Sequence, residues 1–106
     1  MLDEALPNLF DVVVRYEGET TVVQVVGEID IRTSSVFSEI LDIAVGGGGP
    51  VVVDLSEVSF MDSSCARVLH NAAQREGRGS LKVRVARPLT RRVLQILGWE
   101  YLLLDS

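Results

Sequence analysis

Apolar and polar positions alternate along the chain in two different periods, which divide it into segments typical of strands and of helices. After a short tail over residues 1–8, β-branched residues fill 11–16 and 20–26, and a connection containing Gly18 joins these two runs. Val- and Thr-rich runs with a short glycine-containing connection predict a β-hairpin. The apolar period then changes to that of one helix face over residues 33–45, which predicts a first helix.

A run of four glycines and a proline, residues 46–50, ends that helix and is interpreted as a flexible linker. A phosphate-binding glycine loop would end in Gly-Lys-Ser/Thr and open a helix. This run instead precedes residues 51–55, a continuous apolar stretch typical of a strand covered on both faces.

The remaining half of the chain repeats the alternation of strand and helix. Residues 56–61 are predicted to be a connection, and Asp62 is predicted to cap a second helix that ends near residues 77–79. Alternation over residues 81–85 predicts a strand. The predicted third helix lies between Pro88 and Gly98, and residues 101–104 are predicted to form a last strand. The expected inner side of the third helix consists of Leu89, Val93, Ile96 and Leu97.

The resulting order, β-β-α-β-α-β-α-β, predicts a single α/β domain over residues 9–106. Alternation of strand and helix after the opening hairpin indicates parallel strands joined by crossover helices, and therefore a small mixed β-sheet.

Charge and composition argue against several classes of function. The 106 residues carry ten Lys and Arg against fifteen Asp and Glu, a net charge of −5, which argues against nucleic acid as a partner. The uncharged run over residues 43–53 is too short to span a bilayer, and no basic amphipathic segment suggests binding to a membrane surface. The chain opens without a signal-peptide pattern, and its single cysteine cannot form an internal disulfide, so we expect a cytoplasmic protein.

The inventory of reactive side chains predicts no enzyme. Cys65 lies on the apolar stripe of the second helix and is expected in the core, whereas His70, the only histidine, is expected on the solvated side of that helix. The two therefore cannot form a nucleophile–base pair. Metal-ligand spacing is absent as well, and neither a cofactor nor a metal ion is expected. Asp54 and Asp62 are explained separately by strand and loop positions.

The segment Asp62-Ser63-Ser64 is the remaining candidate for function. Its simplest interpretation is a helix cap. Two serines beside a good cap are redundant for capping, however, and a phosphoryl group there would be favoured by the helix dipole and would add strong negative charge.

Two motifs in the chain resemble those of the STAS domain, in particular that of the bacterial anti-sigma factor antagonists. They are Gly27-Glu28-Ile29-Asp30, at the end of the second predicted strand, and Phe60-Met61-Asp62-Ser63-Ser64, before the second helix. The resemblance extends over nearly the whole chain, with the elements in the family's order. It implies an α/β domain of STAS type.

The resemblance also implies a switch rather than a catalyst. In this family, an anti-sigma factor with serine kinase activity holds a sigma factor inactive, and the unphosphorylated antagonist binds that kinase. Phosphorylation of the first serine after the aspartate, here Ser63, abolishes binding, and a phosphatase restores it. Asp30, Thr33, Asp62, Ser64 and Arg67 are then the expected partner-binding residues.

One departure from the family pattern lies beside the proposed phosphorylation site. Relatives carry Gly-Leu-Gly where this chain has Cys65-Ala66-Arg67. Arg67 is interpreted either as a solvated side chain or as a partner for a phosphate on Ser63, four residues earlier. Two other functions stay open: a STAS-type binding subunit of a transporter or sensory complex, and a decoy that binds an anti-sigma factor without being phosphorylated.

Overall fold

A computed structural model describes residues 10–76, 80–85 and 87–104. The predicted tail over residues 1–8 and the predicted end of the second helix at 77–79 lie outside these ranges. The described elements, in chain order, are β1 (Phe10–Glu17), β2 (Thr20–Ile29), α1 (Ser34–Gly46), β3 (Val51–Met61), α2 (Ser63–Glu76), β4 (Leu81–Arg84), α3 (Pro88–Ile96) and a 3₁₀ turn (Glu100–Leu102).

The four strands form one mixed sheet in the order β1-β2-β3-β4. β1 and β2 are antiparallel, whereas β3 is parallel to both β2 and β4. Gly18 has a φ of +64° in the turn that joins β1 to β2, a conformation that glycine adopts without strain. The predicted hairpin and the predicted α/β fold with a small mixed sheet are thus confirmed.

Helices α1 and α2 pack against each other and bury their apolar stripes in the core. The predicted helical periodicities are confirmed, because Phe37 and Leu41 of α1 and Leu69 of α2 are fully buried. The part of α2 in the core carries mainly small side chains, which lets the helix approach its neighbours closely. These are Cys65, Ala66, Ala72 and Ala73.

Strand β3 is longer than predicted, and the interpretation of residues 56–61 as a connection is wrong. These residues continue the parallel pairing with β2 as far as Ile29 and Met61. The register shifts between Gln24 and Val26, and again between Gly27 and Glu28. Such irregularities interrupt the two-residue alternation on which recognition of a strand from sequence depends.

The predicted last strand is also wrong for most of its length. A 3₁₀ turn occupies Glu100–Leu102, and only Leu103 forms a parallel bridge, to Val83. After Gly98, whose φ is +79°, the chain enters the 3₁₀ turn, and backbone in that conformation does not pair with β4.

The inner side of α3 differs in part from the prediction: Val93 and Leu97 pack against the core as expected, but Leu89 and Ile96 do not. Thr90 and Leu94 are the buried residues, whereas Leu89 and Ile96 are 79% and 73% exposed. Leu89, Val93 and Ile96 do share a helical stripe, but this stripe borders an open groove lined also by Phe60 of β3. Periodicity therefore identified an apolar stripe correctly but could not show whether anything covers it.

One carboxylate is buried inside the sheet, that of Asp54 in β3. It accepts hydrogen bonds from the backbone N–H and the hydroxyl of Ser56, at 2.9 and 2.7 Å, and lies 3.5 Å from Nη1 of Arg84. Burial acts to raise the pKa of Asp54, but these hydrogen bonds and the charge of Arg84 outweigh it and lower that pKa. Asp54 is thus a satisfied structural residue.

The glycine connection between α1 and β3 is held against the hairpin turn. The backbone N–H of Thr21 donates to the carbonyl of Pro50 at 2.9 Å. A Cβ atom on Gly49 would lie 2.9 Å from the carbonyl oxygen of Glu19, whereas one on Gly46 would meet nothing within 4 Å. The connection therefore joins two elements, as predicted, but Gly49 also permits a close backbone contact.

We expect Gly49→Ala to lower the free energy of unfolding by about 1–3 kcal/mol, because the added methyl group forces the backbone of the hairpin turn to move. Gly46→Ala is the matched control and should raise it by up to about 1 kcal/mol, since Gly46 is in α1 and its surroundings are open. Urea denaturation of both variants measures the difference. Equal stability of the two variants would contradict the close contact at Gly49.

Candidate functional site

The carboxylate of Asp62 begins helix α2. Its Oδ1 accepts hydrogen bonds from the backbone N–H groups of Ser64 and Cys65, at 3.0 and 3.3 Å, and from the hydroxyl of Ser64 at 2.6 Å. These N–H groups lie in the first turn, where the usual acceptors four residues earlier are missing, and the Cys65 N–H also reaches the Asp62 carbonyl at 3.2 Å. The predicted N-cap is confirmed.

A second acidic residue, Asp30, organises the loop between β2 and α1. Its Oδ2 accepts hydrogen bonds from Nε and Nη2 of Arg32, and its Oδ1 accepts one from the Arg32 backbone N–H at 2.9 Å. Thr33 Oγ1 accepts from the Asp30 backbone N–H and donates to the Asp30 carbonyl. Hydrogen bonds from the Arg32 side chain hold the pKa of Asp30 below its ordinary value.

The site has two loops, the one after β2 that contains Asp30 and the short junction at Asp62 between β3 and α2. They are adjacent because β2 and β3 are parallel neighbours, so the carboxyl ends of these strands meet at the same edge of the sheet. The backbone N–H of Asp62 donates to the carbonyl of Ile29 at 3.3 Å, and Cys65 Sγ donates to the carbonyl of Asp30 at 3.7 Å. Five of the predicted site residues are thus in one region, in the loop after β2 and at the start of α2: Asp30, Thr33, Asp62, Ser63 and Ser64.

The two serines of the motif have different environments. Ser64 is half-buried, and its hydroxyl is committed to the Asp62 carboxylate. Ser63 is exposed, and within the described ranges its hydroxyl has no hydrogen-bond partner. Of the two hydroxyls, only that of Ser63 is accessible to a reagent from solution without breaking the cap.

Cys65 is fully buried, as predicted, and it lies beneath the cap. Burial raises the pKa of its thiol to about 12. Because the thiolate is the reactive form, Cys65 is inert at neutral pH and serves as a small apolar residue.

The exposed face of α2 leads from Ser63 to a cluster of aromatic rings. The ring of His70 stacks on Trp99, with centroids 4.4 Å apart and planes 6° apart, and its Nδ1 lies 2.9 Å from the hydroxyl of Tyr101. Arg67 Cζ lies 6.0 Å from the centroid of the Trp99 ring. We call Arg67, His70, Trp99 and Tyr101 the α2 aromatic cluster.

The prediction that His70 faces solvent is therefore wrong. His70 is half-buried, because the chain after α3 returns across α2 and places Trp99 and Tyr101 against it. The helical stripe alone could not show this return. Arg32 is the other contributor that the sequence analysis missed, and its position two residues after Asp30 was the available signal.

The described part of the chain carries no cluster of metal-ligating side chains, since no three His, Cys, Asp or Glu side chains converge there. Likewise, none of its helices is long and apolar enough to cross a membrane.

Comparison with protein families gives a match over residues 12–105 to the family described as "Mlab, STAS domain". The chain belongs to the STAS domain family. No curated protein sequence matches this STAS domain.

Solved structures show the same fold. The STAS domain is similar to an anti-sigma factor antagonist from Mycobacterium paratuberculosis, at 27% identity and a TM-score of 0.84, over 93% of this chain and 86% of that one. It is also similar to the Bacillus protein SpoIIAA in its phosphorylated form, at 21% identity and a TM-score of 0.67, over 90% of this chain and 88% of that one. SpoIIAA in its unphosphorylated form gives 21% identity and a TM-score of 0.74, over 90% and 85%.

The buried environment of Cys65 predicts that a small maleimide leaves the native STAS domain unlabelled at neutral pH and labels it completely in denaturant. Cys65→Ala should lower the free energy of unfolding by about 1 kcal/mol, because it removes one buried sulfur atom. Mass spectrometry counts the labels and urea denaturation gives the stability. Rapid labelling of the native protein would contradict the core position.

Proposed function

We propose that this STAS domain is an anti-sigma factor antagonist that binds an anti-sigma factor with serine kinase activity and is switched off by phosphorylation of Ser63. The observation that carries the proposal is the contrast between the two serines, since Ser63 is exposed and Ser64 is bonded to Asp62. The similarity to an anti-sigma factor antagonist at a TM-score of 0.84 supports it.

The proposed modification is a simple phosphoryl transfer. Ser63 Oγ attacks the γ-phosphorus of ATP, a new O–P bond forms, and the bond to ADP breaks as the hydroxyl proton passes to a base of the kinase. A phosphatase returns the serine by hydrolysis. The added charge of about −1.5 to −2 lies at the first residue of α2, where the helix dipole favours it. The phosphate is therefore compatible with the fold.

The inhibitory effect is then exerted at the interface. A surface that forms a complex while Ser63 is neutral must bury a dianion once Ser63 is phosphorylated, and desolvation and like-charge repulsion weaken the complex. The proposed contact surface comprises the two loops and the exposed face of α2 next to them. Its residues are Asp30, Thr33, Asp62, Ser64 and Arg67.

This proposed contact surface is ordered by its own hydrogen bonds. Its loops are fixed by hydrogen bonds that Arg32 and Ser64 donate and by the pair that Thr33 Oγ1 forms with the Asp30 backbone, so little ordering is needed on binding. We propose a cytoplasmic location, where the kinase, its phosphatase and ATP are present. Neither nucleic acid nor a membrane surface is a proposed partner.

Isothermal titration against the serine-kinase anti-sigma factors of the source organism tests the proposal. Wild type and Ser63→Ala should bind, and Ser63→Asp should bind about tenfold more weakly or worse. Gln95→Glu is the matched control: it adds one negative charge at an exposed position of α3, outside the proposed contact surface, and it should bind like wild type.

Each alternative function gives a different result in this experiment. No binding to any such kinase by wild type contradicts the proposal and favours a binding subunit of a transporter or sensory complex. Binding without transfer of phosphate to Ser63 favours a decoy. Equal affinity of wild type and Ser63→Asp rejects a switch at Ser63.

A further inference from the structure

The α2 aromatic cluster lies on the same helix face as the proposed phosphorylation site. Ser63, Arg67, His70 and Gln74 follow the spacing of four, three and four residues that keeps side chains on one side of a helix. Gln74 Nε2 donates to the hydroxyl of Tyr101 at 3.1 Å, so this face is in contact with the 3₁₀ turn at its far end. Along this helix face, Arg67 lies between Ser63 and the contact of Gln74 with Tyr101.

The guanidinium of Arg67 is held only weakly in the unmodified protein. Within the described ranges it forms no ion pair, and its contact is with the face of Trp99, at 6.0 Å. Arg32, by comparison, is bonded to the Asp30 carboxylate through both its side chain and its backbone. Arg67 is thus the arginine beside Ser63 that can change partner without leaving a carboxylate unpaired.

Helix geometry places Arg67 within reach of a group on Ser63. Side chains in a helix lean toward its N-terminus, so residue i+4 covers residue i, with Cβ atoms about 5–6 Å apart. A phosphate dianion offers three acceptor oxygens to the fork of a guanidinium, and this charge-assisted pair is stronger than a cation–π contact at 6.0 Å, near the outer limit for such contacts.

We propose that Arg67 exchanges partners when Ser63 is phosphorylated, leaving the face of Trp99 to bind the phosphate. This inference rests on the proposed function, because it takes Ser63 as the modified residue. The exchange neutralises part of the new charge and removes the guanidinium from the Trp99 ring, which keeps its stacking contact with His70. Phosphorylation thereby alters the surface around Arg67 and Trp99 as well as the first turn of α2.

Trp99 is a direct reporter of the exchange because it is the only tryptophan of the chain. Phosphoserine is introduced at position 63 by genetic code expansion, so no kinase or partner is needed. Quenching of Trp99 fluorescence by acrylamide should be stronger in the phosphorylated protein than in the unmodified one. In Arg67→Gln, quenching should be high already and the same in both forms.

A second readout follows the phosphate itself. Phosphorus NMR should show a second phosphate pKa about half a unit lower in the wild-type background than in Arg67→Gln, because a nearby guanidinium favours the dianion. Arg32→Gln is the matched control: it removes the arginine of the neighbouring loop and should retain both the quenching response and the lowered pKa.

Three results would overturn the inference: no change in quenching upon phosphorylation, an unchanged response in Arg67→Gln, or loss of the response in Arg32→Gln alone. Each is independent of binding to an anti-sigma factor. Failure of the partner exchange would therefore leave the titration results intact, and failure of the titrations would not affect the fluorescence results.

Discussion

The capping of α2 by Asp62 is the interaction on which the rest of the candidate site depends. One carboxylate oxygen holds two backbone N–H groups and one hydroxyl of the first turn. The backbone of the same residue is bonded to the end of β2, so the start of α2 is fixed relative to the sheet. Given this anchor, Ser64 turns inward, Cys65 is buried beneath it, and Ser63 is left at the surface. The asymmetry between neighbouring serines is a consequence of the cap.

Local patterns in the sequence were sufficient for much of the fold. The β-branched runs on either side of Gly18 predicted the hairpin, and the stripes with Phe37, Leu41 and Leu69 predicted α1 and α2, because each of these two helices buries one regular face. The second half of β3 was missed where register shifts break the alternation beside Gly27. The exposed side of α3 was missed because an apolar stripe can line an open groove as well as a core.

Some features of the candidate site could be predicted from neighbouring residues, whereas others depend on contacts between distant parts of the chain. The Asp62 cap and the burial of Cys65 follow from residues adjacent in sequence. The contact between Asp30 and the first turn of α2 requires that β2 and β3 be neighbours in the sheet. The contact of His70 with Trp99 requires the chain to return across α2 after α3, and no local pattern specifies that path.

The most direct test of the account is the position of the phosphate after incubation of the STAS domain with MgATP and a serine-kinase anti-sigma factor that it binds. Because the cap occupies the Ser64 hydroxyl and exposes that of Ser63, mass spectrometry should find a single phosphate, on Ser63, and none in Ser63→Ala. A phosphate on Ser64, or an equally modified Ser63→Ala protein, would contradict the account.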